Sequence, residues 1–194
     1  MGITTESLMT VDEFMEKYAG CSGVELIEGK VVWNGQESHP PLGEVQVPRF
    51  KHGVVSHNVD ALIGGHIRTH GLGWVAINDT FVPVKKDPAT VRGADLLYVS
   101  YARLPKGKVP DDLAIAPDLV IEVRSPSDRL SLLTAKVEQY IAAGVPVVVV
   151  FDPRAESAAV FRGDEFPQVF HNSDEFVLPD VLPGFAIPVQ RFFE

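Results

Sequence analysis

The sequence predicts an α/β fold: a mixed central sheet flanked by helices, preceded by an N-terminal helix and hairpin. Three observations predict it. Two stretches, Val55 to Ile67 and Leu130 to Ile141, repeat apolar residues at helical spacing. Two others, Leu119 to Val123 and Pro146 to Asp152, are short and nearly all apolar, which is how strands buried on both faces read. The 194 residues, 45% apolar and 22% charged, have the size and balance of one domain with its own core.

The first helix is signalled at Thr10. Thr10-Val11-Asp12-Glu13 fits a capping box, and Met9 and Phe14 are placed to form its hydrophobic staple. The helix should run to about Tyr18 and stop before Gly20. Val24 to Ile27 and Lys30 to Trp33 flank Glu28-Gly29, a two-residue hairpin turn. Asn34 to Pro48 is polar, rich in Pro and Gly, and reads as a loop. From about Phe50 the period becomes helical through Val55, Val59, Leu62, Ile63 and Ile67, with Gly71 where a C-terminal cap belongs. Trp74 to Ile77 and Thr80 to Val84 read as two strands, and Arg92 to Val99 as a buried one. A long loop, Ala102 to Pro117, leads into the apolar run ending at Val123. Ser125-Pro126-Ser127-Asp128 reads as a helix start, with Ser125 as N-cap and Pro126 at the first helical position. Leu130, Leu133, Val137, Tyr140 and Ile141 form the inward face of that helix, and Gly144 ends it. After the valine-rich strand come short strands near Ala158–Arg162 and Phe166–Phe170, joined through Gly163-Asp164. The tail around Leu182-Pro183-Gly184-Phe185 reads as irregular, with Phe192 and Phe193 turned inward.

Composition narrows the function classes. No stretch approaches the roughly 20 apolar residues of a membrane span. Met1 to Thr10 lacks the basic and apolar regions of a secretory leader, and the lone Cys21 cannot form an internal disulfide, so a cytoplasmic protein is expected. The formal net charge of −9 argues against strong nonspecific binding to nucleic acid, which counterion release from a basic face would drive. A nucleic-acid substrate would need a local basic patch, with metal ions offsetting repulsion.

Glu122 is the most informative residue. It stands among Leu119, Val120, Ile121 and Val123 in a strand that looks buried on both faces, where an unpaired carboxylate would cost several kcal/mol. It therefore needs a partner. Its strand leads directly to a helix, a place where α/β sheets bind ligands. Asp95 repeats the pattern, an acid opening an apolar strand. Two carboxylates converging from neighbouring strands suit a hard divalent cation such as Mg²⁺, with Mn²⁺ as substitute. Lys136 can supply an amine to the same place. Four extended residues from Glu122 to Pro126 climb about 13 Å, and ten helical residues from Pro126 to Lys136 return about 15 Å. Tyr140 lies one turn further, on the same side.

The run Arg92-Gly93-Ala94-Asp95, then Pro117 to Asp128 as PDLVIEVRSPSD, then Lys136, Tyr140 and Gly144-Val145-Pro146, resembles the Uma-two family of restriction-endonuclease-like proteins. Glu25-Leu26-Ile27-Glu28-Gly29, His52-Gly53 and Leu182-Pro183-Gly184-Phe185 are similar to that family as well, so the resemblance spans nearly the whole chain. It implies a restriction-endonuclease-like PD-(D/E)XK core, Asp95 and Glu122 as metal ligands, and Lys136 as the motif's lysine, supplied from the helix. It also implies Glu25 as an additional acid near the metal. Two positions depart from the pattern. Ala94 stands where proline is usual. Arg124 stands two residues after Glu122, where a standard motif has lysine; it stays protonated and cannot act as a base. It is left to clamp a phosphate or pair with an acid.

Each of these residues also has a plainer reading. Glu122 could sit in an ion pair with Arg124 or Lys136, and Asp95 could cap backbone N–H groups. Lys136 could snorkel to solvent, Tyr140 could be core, Glu25 could be solvated on its hairpin, and His52 could hydrogen-bond near a helix start instead of meeting phosphate. His66 and His70 are one helical turn apart but have no third ligand, which favours a surface pair. Gly64-Gly65 lacks the strand and loop of a phosphate cradle. The expected function is a Mg²⁺-dependent endonuclease acting on DNA. Its rivals are a nuclease-fold binding module with little catalysis and hydrolysis of another phosphodiester. Endonucleases that cut duplexes often pair two sites, so a homodimer is the expected assembly.

Overall fold

The computed structural model describes residues 8–33, 50–125, 128–163 and 165–194. Helix α1 (Val11–Tyr18) begins with the expected capping box: Thr10 Oγ1 accepts from the Glu13 amide, and the Glu13 carboxylate accepts from the Thr10 amide. Strands β1 (Val24–Ile27) and β2 (Lys30–Trp33) follow, paired Ile27 to Lys30 across a turn whose two residues both have positive φ, Glu28 at 50° and Gly29 at 79°. Two central residues in the left-handed region match the right-handed twist of the flanking strands. The loop expected over Asn34–Pro48, and Pro126, Ser127 and Asp164, lie outside the described residues.

The second helical stretch is not uniform. Helix α2 (Phe50–Val59) passes through a π-helical turn (Asp60–Gly64) into α3 (Gly65–Thr69). It ends at Gly71, φ 61°, with the Leu72 amide donating to Ile67 O and the Gly71 amide to Arg68 O, the paired bonds of a Schellman cap. Val55, Val59, Ile63 and Ile67 are buried as their spacing requires.

The two strands expected near residues 74–84 are one, β3 (Gly73–Lys86), interrupted by a bulge at Asn78 and Asp79, φ 66° and 55°. It forms a long antiparallel hairpin with β4 (Ala89–Ser100). Strand β5 (Leu119–Val123) pairs antiparallel with β4 and parallel with β6 (Val147–Asp152); β7 (Ser157–Phe161) and β8 (Gln168–His171) complete the sheet. Its order is β2-β1-β4-β5-β6-β7-β8, with β3 on the other edge of β4. The tail departs from the irregular expectation: β9 (Glu175–Val177) and β10 (Ala186–Pro188) form a small second sheet before a 3₁₀ turn (Val189–Phe192). Strands of three residues are too short to leave a periodic signal. Phe192 is buried there, and Phe193 half-buried.

Helix α4 (Leu130–Ala142) starts later than its sequence suggests. Arg129 is extended and heads the helix, so Ser125 is not its N-cap. Ser125 and Asp128 close a turn of their own instead: the Asp128 amide donates to Ser125 O at 3.1 Å, and Asp128 Oδ2 accepts from the Ser125 amide at 2.6 Å. Leu130, expected inward, is largely exposed in the first turn.

The sheet has a core on each face. Leu119, Ile121 and Val123 of β5 and Val147, Val149 and Phe151 of β6 point to α2, α3 and the tail. The alternating Val120, Val148 and Val150 point with Leu97 and Val99 to Val137 and Tyr140 of α4. A third cluster packs Phe14 of α1 against the hairpin and Val91. Among the described residues no helix is long and apolar enough to cross a membrane.

Ile121 is fully buried in the larger cluster, so Ile121→Ala should destabilise the protein by about 3–4 kcal/mol in urea unfolding. Thr10→Ala, which removes only the cap of α1, should cost about 1 kcal/mol in the same measurement.

Candidate active site

Strand β4 has β3 along one edge, but two different strands share the other. β1 pairs with it at Leu26–Val91, and β5 at Leu96–Ile121 through Tyr98–Leu119. Between Val91 and Leu96 no strand completes that edge among the described residues, and side chains close it. Glu25 Oε1 accepts from the Gly93 amide at 3.1 Å. The Tyr140 hydroxyl reaches Gly93 O at 3.2 Å, and Asp95 Oδ2 accepts from the Val123 amide at 2.6 Å. Buried backbone groups must find partners, and here the sequence's candidate residues provide them.

The register of β4 and β5, carried one pair beyond Leu96–Ile121, sets Asp95 opposite Glu122. Glu122 is 6% exposed. Lys136 Nζ, brought in from α4, donates to its Oε2 at 2.8 Å and lies 3.4 Å from Glu25 Oε1. The return from Glu122 to Lys136 is thus made, although α4 begins only at Leu130. Tyr140 Oη lies 3.0 Å from Glu122 Oε1. Asp95, Glu122, Lys136, Glu25 and Tyr140 therefore meet at one place. Glu25 is not solvated on its hairpin, as one reading allowed; the hairpin turns it into this cluster.

Three carboxylates here face the buried cations of Lys136 and Arg92, and their environments push them apart. Burial raises the Glu122 carboxyl to about 8; the attraction of Lys136 opposes this, and the charges of Asp95 and Glu25 add to it. Asp95 is also raised, chiefly by burial, against the pull of Lys136, the Val123 amide and His52. Burial would raise Glu25 too, but Lys136, Arg92 and the Gly93 amide outweigh it and hold Glu25 below the usual carboxylate range. Burial would deprotonate Lys136, yet the surrounding acids hold its pKa well above the ordinary value. The Tyr140 hydroxyl fits the same picture. It has one proton and two oxygens within reach, Gly93 O and Glu122 Oε1. It can donate to either, and so ties the Glu122 carboxyl to the open edge of β4.

The remaining candidates lie at the border. His52 Nε2, at the start of α2, is 3.8 Å from Asp95 Oδ2, and Ser56 Oγ donates to the His52 carbonyl. Arg124 follows Val123 at the end of β5 and pairs with Asp152 at 2.6 Å, so the acid-pairing reading is the one realised. His66 and His70 stack at 4.1 Å on the far part of the helical stretch, the surface pair expected of them. Cys21 is exposed.

Sequence reasoning passed over two members. Arg92, 6% exposed, donates from Nη1 to Glu25 Oε2 at 2.8 Å and from Nε to Gln139 Oε1 at 2.7 Å. The burial argument that singled out Glu122 applies equally to a charged residue between Val91 and Ala94. Gln139 gives no comparable signal on an amphipathic helix.

Among the described residues no group of three or more His, Cys, Asp or Glu side chains is assembled as a metal cage. The pair Asp95 and Glu122 suits a smaller demand. Mg²⁺ is commonly held by one or two carboxylates together with waters and substrate phosphates, and both acids are destabilised as lone anions.

Residues 42–190 match the profile of the Uma2 family, described as "Putative restriction endonuclease". A crystal structure described as "a putative nuclease belonging to DUF820" from Anabaena variabilis has a TM-score of 0.79 at 19% sequence identity, covering 95% of this chain and 97% of that one. Such a likeness shows a shared fold. No curated protein matches the chain. The family profile covers most of the sequence, including Asp95, Glu122, Lys136 and Tyr140, and the protein belongs to the Uma2 family.

Proposed function

We propose that the protein is a Mg²⁺-dependent endonuclease that hydrolyses DNA phosphodiester bonds by attack of water, with Asp95 and Glu122 as the residues that would hold the metal ion. The observation that carries this reading is the nearness of a buried Glu122 and a half-buried Asp95, one register step beyond the Leu96–Ile121 pair, with the Lys136 amine 2.8 Å from Glu122. When bound, the metal ion neutralises phosphoryl charge, lowers the pKa of bound water and orients it.

The chain's own residues supply the rest. Lys136 has three N–H donors, two of them facing Glu122 and Glu25. The third is available to the charge that develops on phosphoryl oxygens, and its position is fixed before substrate arrives. Tyr140 orients the Glu122 carboxyl through Oε1. His52 beside Asp95, and Arg124 at the end of β5 once drawn from Asp152, would meet substrate phosphate from the rim.

Asp95→Asn and Glu122→Gln should each lower Mg²⁺-stimulated cleavage of supercoiled DNA by about 100-fold or more while circular dichroism stays unchanged. Wild-type protein that leaves single-stranded, linear and supercoiled DNA intact with both Mg²⁺ and Mn²⁺ would remove this reading.

The raised Glu122 carboxyl adds a pH dependence. Its pKa is pushed up to about 8, so below that pH the acid carries a proton that a cation must displace. Mg²⁺ affinity should therefore rise from pH 6 to pH 8, and calorimetry in buffers of different ionisation enthalpy should show proton release at pH 7. In Glu122→Gln both the slope and the release should shrink to what the raised Asp95 carboxyl contributes.

A further inference from the structure

We infer that Arg92 is a positioning residue: it locks Glu25 in place as the anchor of Lys136, so that Glu25 supports the site without serving as a metal ligand. This rests on the nuclease reading above and departs from the role that family resemblance implies for Glu25.

The inference stands on which atoms are already engaged. Glu25 Oε2 accepts from Arg92 Nη1 at 2.8 Å; Oε1 accepts from the Gly93 amide at 3.1 Å and faces Lys136 Nζ at 3.4 Å. Three donors from two elements, β4 and α4, thus surround one carboxylate. Two of them, a main-chain amide and a guanidinium only 6% exposed, have little freedom to leave. The partners of Glu122 differ: Lys136 and Tyr140 are both side chains of α4, attached to a single helix.

Arg92 has a second attachment. Its Nε donates to Gln139 Oε1 at 2.7 Å, and Gln139 lies between Lys136 and Tyr140 on α4. One planar fork therefore ties the strand that carries Glu25 to the helix that carries the amine. Lysine, a single point donor, does not reproduce this. A cation that took Glu25 as a ligand would strip Arg92 of its paired acid and leave a buried guanidinium uncompensated. Asp95 and Glu122 can be drawn to a cation without that loss.

The test uses the full chain and Mn²⁺ alone, titrated calorimetrically without nucleic acid. Glu25→Gln should weaken Mn²⁺ binding by less than about threefold, whereas Glu122→Gln should weaken it by more than about tenfold. Arg92→Met should tighten Mn²⁺ binding by about threefold by releasing Glu25, and should have no such effect in the Glu25→Gln background. In cleavage assays Glu25→Gln should lower kcat by about tenfold with KM nearly unchanged, because Lys136 loses its anchor but substrate contacts remain. Loss of Mn²⁺ binding in Glu25→Gln equal to that in Glu122→Gln would overturn the inference while leaving the nuclease reading intact. So would an Arg92→Met effect of the same size in both backgrounds, since that reports only the lost charge. If Arg92→Met does not fold, the Glu25→Gln titration decides alone. Wild-type protein that binds no Mn²⁺ would overturn the metal reading and the inference with it.

Discussion

A buried ammonium shared by two carboxylates is the interaction on which this architecture turns. Lys136 reaches it from α4, Glu25 from β1 and Glu122 from β5, so one charge cluster joins three elements distant in sequence. An ion removed from water is costly, and the cost is recovered only where opposite charge and hydrogen bonds are in place. Here the acids exceed what one amine can satisfy. Arg92 takes up part of the excess through Glu25; the rest falls on Glu122 and Asp95, whose carboxyls are both pushed up. The fold thus gathers more carboxyl groups at one point of an apolar sheet than its own cations pair with.

This cluster lies where it does because of strand geometry. β1 and β5 both pair with β4 but at opposite ends, and among the described residues they leave its middle without a strand neighbour on that edge. At a sheet's interior such a gap would orphan the backbone groups of Gly93 and Val123. Side chains of Glu25, Tyr140 and Asp95 close it. The bulge at Asn78 and Asp79 abuts the same point from β3: a Cβ at Gly93 would lie 3.2 Å from Asp79 Cβ. The absence of a side chain at 93 lets strand, bulge and carboxylate approach together.

Much of this was legible in the residues. The cap of α1, the Glu28-Gly29 turn, the helical repeat from Val55 to Ile67 and the valine-rich strand all follow from local chemistry that tertiary contacts do not override. Glu122 was legible because a charge inside an apolar strand demands a partner; Lys136 meets it although the summed rises took the helix from Pro126 and α4 begins at Leu130. The departures have equally local causes. Ser125 and Asp128 carry the signature of a helix start, but the same two residues can close a turn, and the extended Arg129 separates them from the helix. Asn78 and Asp79 look like a gap between strands because both tolerate positive φ; a bulge uses that tolerance without ending the strand. Arg92 could have been found by the argument applied to Glu122. Gln139 and the π-helical turn could not, since neither alters the apolar pattern that sequence reading follows.

The closure of the strand gap by the candidate active-site side chains has an evolutionary consequence. In many enzymes the catalytic groups are a burden on the fold, and replacing them makes the protein sturdier at the expense of activity. Here Glu25, Asp95 and Tyr140 also serve as surrogate ladder partners, and deleting any of them strands a main-chain group at a cost of about 1–3 kcal/mol. Lineages of this fold that abandon catalysis would gain nothing in robustness from discarding these residues. These side chains would persist as architecture whatever their chemistry, so their presence in a relative would not by itself mark that relative as active.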